Sequence, residues 1–333
     1  MQIVLALTST ASASAKELGE AFKAGWQGQQ SQDQLKIIPY SYGFDEVAAN
    51  FPVADIFAGT IDPEQAGERL PALLKAGNGI YLPPCHLGLS LQSEYLSPGA
   101  ATLANLEELP DFPAAFMRGV ARAYDRETSN PQVWEKLGRA LAHTVVVTGS
   151  QKPLFSASGV LAAVAKTRPE IAQKTKENRE GILGEAKKFG HQRYLGLSSA
   201  TGFGKAQESQ IGTLPGGGCA FGIGELLGRL GARLDFAADF LDERTQLPQI
   251  LGGADLLVAN TPELSPWNLS GSPLEHLCHL SAPSGIPIVV VTSENNLSRA
   301  EGAEMGIDGI YQFPSDIAGM SQAGLRLART WSR

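Results

Sequence analysis

Three apolar, β-branched runs in the C-terminal third, Ala254–Ala259, Ile286–Thr292 and Ile307–Phe313, alternate with helical stretches, and a last helix is expected from Asp316 to Trp331. Runs with no polar face must be covered on both sides, which in a globular chain means a parallel sheet between layers of helices. Strand, crossover helix and parallel strand follow one another here, and such crossovers are right-handed. The N-terminus obeys the same rule. Gln2–Leu7 reads as a buried strand, Ser14 as the cap of a helix reaching Trp26, and Leu35–Pro39 as a second strand. Both chain ends together therefore predict one Rossmann- or flavodoxin-like parallel-sheet domain made of residues 1–77 and 239–333.

Residues 78–238 have a different texture. They hold an apolar strand at Thr144–Val147, long helical stretches, proline-bearing linkers near Pro83 and Pro110, and a glycine-rich loop. The expectation is a second α/β domain inserted into the first, giving an α/β fold of two α/β domains. A chain of 333 residues is long enough for two separate cores.

The glycine-rich loop is PGGGCAFGIGELLGRLGARL, Pro215 to Leu234. Gly216, Gly217 and Gly218 permit positive φ and close backbone approach, so the loop can aim several N–H groups at one point beside the helix that follows. That geometry suits a phosphate or a carboxylate. The alternative is a tight turn where a loop passes close to a sheet. Leu226, Leu227 and Leu230 supply the apolar face of the helix and Gly231 its stop. Neither the GxGxxG spacing of a dinucleotide site nor a GK[ST] phosphate loop is present.

Hydrophobic residues make up 43% of the chain and charged residues 18%, the proportions of an ordinary folded protein. A formal net charge of −7 argues against a nucleic-acid partner, which needs a concentrated basic surface. Basic residues do gather between Lys166 and Arg193, but Glu170, Glu177, Glu180 and Glu185 are interleaved with them, which predicts a solvated helix. Cys85, Cys219 and Cys278 are odd in number and lack metal-ligand spacing, implying free thiols and a cytoplasmic location. His276, Cys278 and His279 do not share one helical face, so no metal site is expected there. The opening MQIVLALTSTASASA lacks the basic start of a secretory signal, and no segment has the roughly 20 apolar residues of a membrane span.

Several segments, in chain order, resemble the type I glycerate kinase family. MQIVLALTSTASASAKELGEAFKAGW is similar to that family's KIVIAPDSFKGSLSAKEVAEAIEKGF. KIIPYSYGFDE, Lys36 to Glu46, stands where the family has a strand ending in PVADGGEG. AHTVVVTGSQKPLFSASG, Ala142 to Gly159, resembles its strand and GIGGSATNDGGAG loop. Pro215–Leu234 is similar to PGAGAAGGLGAGLLAFLGAEL, and Ala254–Phe313 follows ADLVITGEGRLDGQTLRGK, VPVIALAG and GIDAVFSI. The resemblance implies transfer of the γ-phosphoryl group of Mg-ATP to a hydroxyl of D-glycerate, in a cleft between two α/β domains.

Position by position, the family's charged groups are mostly missing. Its first Asp and Lys fall on Thr8 and Ala11, leaving Ser9. Its Asp-Gly-Gly-Glu run becomes Tyr42, Gly43, Phe44 and Asp45. Gly149 and Ser150 match, but Asn-Asp gives way to Gln151, Lys152, Pro153, Leu154 and Phe155. The last motif reads Ala259, Asn260, Thr261, Pro262 and Glu263, then Ser265, Trp267 and Gly271. Phosphoryl transfer needs positioned positive charge and a carboxylate near the attacking hydroxyl, and these residues act as a unit.

Two readings follow. In the first, the chain keeps the fold but not the chemistry and serves as a binding or interaction protein, without cofactor and with its protein partner unspecified. In the second, it is an active Mg-ATP-dependent phosphotransferase whose catalytic residues are Asp45, Glu263 and Lys152. In either, Ser9, Gly149, Ser150, Gly216, Gly217 and Gly218 are the candidate binding residues for a small-molecule anion or nucleotide, with no protein-held metal, nucleic-acid or membrane site. Phe44, Leu154, Phe155 and Trp267 are candidates to fill the cleft. His86, His143 and Lys152 are candidates for acid–base work in a different reaction.

Overall fold

An unbroken apolar strand needs helices on both faces, and the terminal half of the chain supplies them. The computed structural model describes residues 1–10, 12–48, 51–58, 62–84, 111–157, 159–167, 169–190, 210–265, 269 and 271–332. Among these the strands are β1 (Gln2–Leu7), β2 (Gln34–Pro39), β3 (Val53–Asp55), β4 (Gly79–Leu82), β5 (Val145–Thr148), β6 (Arg233–Phe236), β7 (Leu256–Leu264), β8 (Ile288–Asn295) and β9 (Gly309–Gln312). The helices are α1 (Ala15–Gln27), α2 (Phe44–Ala48), α3 (Pro63–Ala76), α4 (Phe112–Ala123), α5 (Pro131–Leu141), α6 (Val160–Thr167) and α7 (Pro169–Phe189). They continue with α8 (Ile223–Arg229), α9 (Ala237–Thr245), α10 (Leu247–Leu251), α11 (Pro273–Ser281), α12 (Arg299–Glu304) and α13 (Ile317–Trp331). The chain divides into a terminal unit, Met1–Tyr42 with Ala238–Arg333, and an inserted unit, Gly43–Ala237.

In the terminal unit the strand order is β2-β1-β7-β8-β9, every pair parallel. This is the doubly wound order of flavodoxin-like sheets, with its reversal between β1 and β7. One face packs Ile3, Leu5, Val258 and Val289 against Leu18, Phe22 and Trp26 of α1 and Met320 and Leu327 of α13. Residues of the other parity, among them Val4, Ala6, Leu257 and Val290, are buried as well, as a sheet covered on both faces requires. Ser14 caps α1 through a reciprocal pair of bonds with Glu17, and Asp316 caps α13. The two helices touch backbone to backbone. A methyl group on Gly25 would come within 3.0 Å of the Ser321 carbonyl oxygen, and one on Gly324 within 3.0 Å of that of Phe22.

The inserted unit has strand order β3-β4-β5-β6, again parallel. Each strand is added beside its predecessor, so right-handed crossovers carry the connecting helices to one face. The core there joins Ile80, Leu82 and Val146 to Leu70, Phe116, Leu137 and Leu226. Tyr81 points the other way, where its ring meets Phe44 of α2 at 5.7 Å. Helices α3 and α4 repeat the glycine crossing of the terminal unit, with Gly67 against the Phe116 carbonyl and Gly119 against that of Glu64.

Two expectations are corrected. Residues 43–77 belong with the inserted unit, not with the chain ends, because β3 pairs with β4 from Val53↔Gly79 to Asp55↔Tyr81. The Lys- and Arg-rich helix α7 is not a solvated rod. Lys176–Glu180 and Glu185–Lys188 do face outward, but Arg179, Leu183 and Ala186 are fully buried and Ala172 and Thr175 nearly so.

Candidate functional site

The glycine-rich loop is stitched to the segment that leaves β5. Gly149 donates its N–H to the Leu82 carbonyl, and a methyl group there would collide with Pro84. Ser150 is buried, and its hydroxyl accepts from the Lys152 N–H at 3.1 Å. The carbonyls that follow turn toward the loop. Gly216 N–H donates to Gln151 at 3.0 Å, Gly218 N–H to Lys152 at 2.9 Å, Ala220 N–H to Pro83 at 3.2 Å, and Gly217 N–H to Leu214 at 2.8 Å. All three glycine N–H groups are thus occupied by protein carbonyls, which is the tight turn rather than the anion cradle, the two readings the sequence leaves open.

Each glycine is required for a packing reason. Gly216 has φ +77° and lies on the Thr148 side chain, Gly217 leaves no room beside the Glu225 carboxylate, and Gly218 passes the Lys152 and Pro153 carbonyls. Ala220, Phe221 and Gly222 then take φ values of 47°, 51° and 102° in succession. For the two residues with side chains this left-handed backbone costs about 1–2 kcal/mol each. Packing offsets it: Phe221 lies 4.9 Å from Phe112, and Leu154 fills the space beside Gly222.

The anion at this helix start is the protein's own. Glu225, with no exposed surface, accepts from Gly212 N–H at 2.7 Å, Leu214 N–H at 3.1 Å and Arg229 Nε at 2.9 Å. Arg229, equally buried, also holds the Gln210 carbonyl. A carboxylate in the first turn of a helix is favourable, and one saturated by four donors has no capacity left for an incoming group. Neither residue was expected to matter. Their i, i+4 spacing is visible in the sequence, but the same spacing is common on exposed helices.

Cys219 lies under the loop and donates its thiol to the Ser150 carbonyl at 3.4 Å. Burial pushes this thiol up to about 12. Burial, with Glu275 and Asp308 adding to it, does the same for Cys278. The expected result is that iodoacetamide labels neither cysteine in the native protein at pH 8 and both in urea, as read by peptide mass spectrometry; rapid native labelling of Cys219 would contradict this packing.

The remaining predicted residues are dispersed. Asp45 is exposed in the first turn of α2. Near it, and unanticipated, is Asp55 at the carboxyl end of β3, which accepts from the Phe57 N–H at 2.8 Å. Burial and then the Asp45 charge push the Asp55 carboxyl above its ordinary value, against the pull of the Phe57 N–H and Arg69. Lys152 is half-buried, and its backbone carbonyl meets the loop. Leu154 and Phe155, expected in a cleft, pack into the core of the inserted unit, and Phe44 lies on Tyr81 of that unit. His143 is exposed just ahead of β5, at the amino edge of its sheet, whereas open α/β sheets bind ligands at the carboxyl edge. Trp267, Cys85 and His86 lie outside the described residues.

In the terminal unit the carboxyl ends of β1 and β7 flank the topological reversal. Just past the end of β1, the side chain of Asn260, within β7, accepts from Thr8 N–H at 2.7 Å and donates to the Thr8 carbonyl at 3.1 Å, extending the link between the strands beyond their last pair, Ala6↔Ala259. Ser9 does not point its hydroxyl at a vacancy either; it accepts from the Ala15 N–H at 3.0 Å and so helps to start α1. Glu263 is opposite Glu294 in the β7–β8 register, with Asn296 reaching both carboxylates at 3.5 and 2.9 Å. Among the described residues no three His, Cys, Asp or Glu side chains come together as a metal-binding group, and no helix is long and apolar enough to cross a membrane.

Two parallel-sheet α/β units, one discontinuous and one inserted, define the glycerate kinase fold. Among solved structures the chain is similar to a putative glycerate kinase 2 from Salmonella typhimurium LT2, with a TM-score of 0.58 and 15% identity over 99% of this chain and 98% of that one. At that identity the likeness is one of fold. No protein-family model matches the sequence, and no curated protein sequence matches it.

Proposed function

We propose that this chain uses the glycerate kinase fold without transferring a phosphoryl group from a nucleotide, and that it acts as a binding protein. The observation that carries this reading is the hydrogen bonding of the loop: the N–H groups of Gly216, Gly217 and Gly218 are taken by Gln151, Leu214 and Lys152 carbonyls. Catalysis of phosphoryl transfer rests on donors and cations placed where charge develops on the transferring group. The residues of this loop do not fit the phosphates of Mg-ATP. The neutral Thr8 and Ala11, where the resemblance places an acid and a base, point the same way.

In a coupled ADP-release assay, protein with Mg-ATP and D-glycerate is expected to show no turnover above a glycerate-free control, and Mg-ATP is expected to leave the melting temperature unchanged. Saturable turnover would end this reading. A second reading, phosphoryl transfer by displaced residues such as Asp45, Lys152 or Glu263, draws support from the Asp45–Asp55 pair, since Mg²⁺ is commonly held by one or two carboxylates plus substrate phosphates. It predicts Mg-dependent turnover that Asp55→Asn abolishes.

A further inference from the structure

The inserted unit carries a reactive backbone step that neither reading uses. Asn78–Gly79 is the one Asn-Gly pair in the sequence, and it stands where the link from α3 enters β4. An asparagine before a glycine is chemically labile. The glycine nitrogen attacks the asparagine Cγ, ammonia leaves with the proton of that nitrogen, and a succinimide ring closes. Water then adds to one of the two ring carbonyls and opens it, giving aspartate or, with the main chain rerouted through Cβ, isoaspartate. Glycine favours the closure because no side chain shields its nitrogen and its backbone turns freely.

The fold imposes this pair. Gly77, at φ +77°, ends α3 in the left-handed conformation and donates to the Leu74 carbonyl. A methyl group on Gly79 would press on Phe51, Val53 and the Val145 carbonyl at 3.0–3.3 Å, so the residue after Asn78 has to be small. Asn78 itself is exposed, and its side chain has no hydrogen-bond partner among the described residues. Other asparagines are held: Asn260 is bonded through both side-chain groups to Thr8, and Asn130 accepts from the Gln132 N–H.

What restrains the reaction is the nitrogen. Gly79 N–H donates to the Pro52 carbonyl at 3.0 Å, at the start of the β3–β4 ladder. While that bond stands, the proton is engaged and the peptide plane is fixed by the ladder. The bond rests on a weak element, however. Strand β3 is three residues long and occupies one edge of its sheet, with β4 as its one strand neighbour. Short edge elements open locally at free energies below that of global unfolding.

We propose that Asn78 is a site of spontaneous deamidation gated by β3: the ring closes in molecules where Pro52 has released Gly79, and the product accumulates as a record of that opening. Isoaspartate adds a main-chain carbon to the two-residue link between α3 and β4, which puts Gly79 out of step with Val53 and Val145. Peptide mass spectrometry of the full-length protein at pH 8, with aspartyl and isoaspartyl peptides separated by chromatography, tests it. In native buffer, conversion at Asn78 is expected to run at least tenfold slower than in denaturing urea, and to accelerate at urea concentrations where tryptophan fluorescence is still native. Val53→Gly, which loosens β3 and leaves the Gly79 N–H in place, is expected to speed native conversion at least threefold. A native rate equal to the unfolded one, or a rate that climbs only together with the fluorescence transition, would overturn the proposal. If Val53→Gly fails to fold, the urea series on the wild-type chain still decides.

Discussion

Glu225→Ala is expected to lower the stability of the inserted unit by about 3–5 kcal/mol, the cost of breaking a buried ion pair from one side. The substitution strips Gly212 and Leu214 N–H groups of their acceptor and strands the Arg229 guanidinium in a site with no exposed surface. Removing both charges is a different matter, because well-packed apolar groups in place of a buried pair are often neutral or better. The double variant Glu225→Gln with Arg229→Met is therefore expected to recover at least half of the loss. Urea unfolding followed by tryptophan fluorescence, with Trp134 reporting from α5 of the same unit, measures both. A single and a double variant equal within about 0.5 kcal/mol would show that the pair does not act as a pair.

Gly324→Ala carries the second large effect. Alanine is the better helix former by about 1 kcal/mol, so an exposed glycine gains from the change; Gly181 on α7, with open space around it, is the built-in control. At Gly324 the new methyl group meets the Phe22 carbonyl, and the neighbouring contact at Gly25 meets Ser321. Backbone cannot give way as a side-chain tip does, so α1 and α13 must separate and the sheet face under them loses contact. A net loss of about 2 kcal/mol is expected for Gly324→Ala, against a small gain for Gly181→Ala. Thermal melts of the two variants with opposite shifts confirm the crossing; two shifts of the same sign refute it.

The terminal sheet was legible because its central strands β1, β7 and β8 are long and apolar, and because strands and helices alternate along the chain. Strand β7 still ran further than expected, to Leu264, since Asn260 and Thr261 look like a loop until the β8 pairing is known. In the inserted unit β3 is three residues, Val53–Asp55, and β6 is Arg233–Phe236 with charges at alternate positions. Neither carries an apolar run, and both edges of that sheet were missed with them.

The glycine-rich loop shows where reading a site from sequence stops. That Gly216 needs positive φ and that Gly218 needs close approach follows from residue type. What stands opposite the N–H groups depends on residues far away in the chain, Gln151 and Lys152, and on a carboxylate whose burial no local pattern reveals. His276 was considered only with Cys278 and His279, its neighbours in sequence, while the groups it contacts come from two other elements: it hydrogen-bonds Asp242 on α9 and stacks on Tyr40 after β2.

The placement of β1 beside β7 has a consequence for the order of assembly. Ile3 pairs with Leu256, so the central ladder of the terminal sheet joins a segment synthesised before the inserted unit to one made after it. The inserted unit is continuous and can close its own sheet as it emerges, since each of its strands pairs with the next one in sequence. Throughout that interval the strand Ile3–Leu7 has only β2 and α1 to pack with, leaving its other edge and the face away from α1 in water. During synthesis, the exposed first strand is the aggregation hazard, and completion of β7 is the event that ends it.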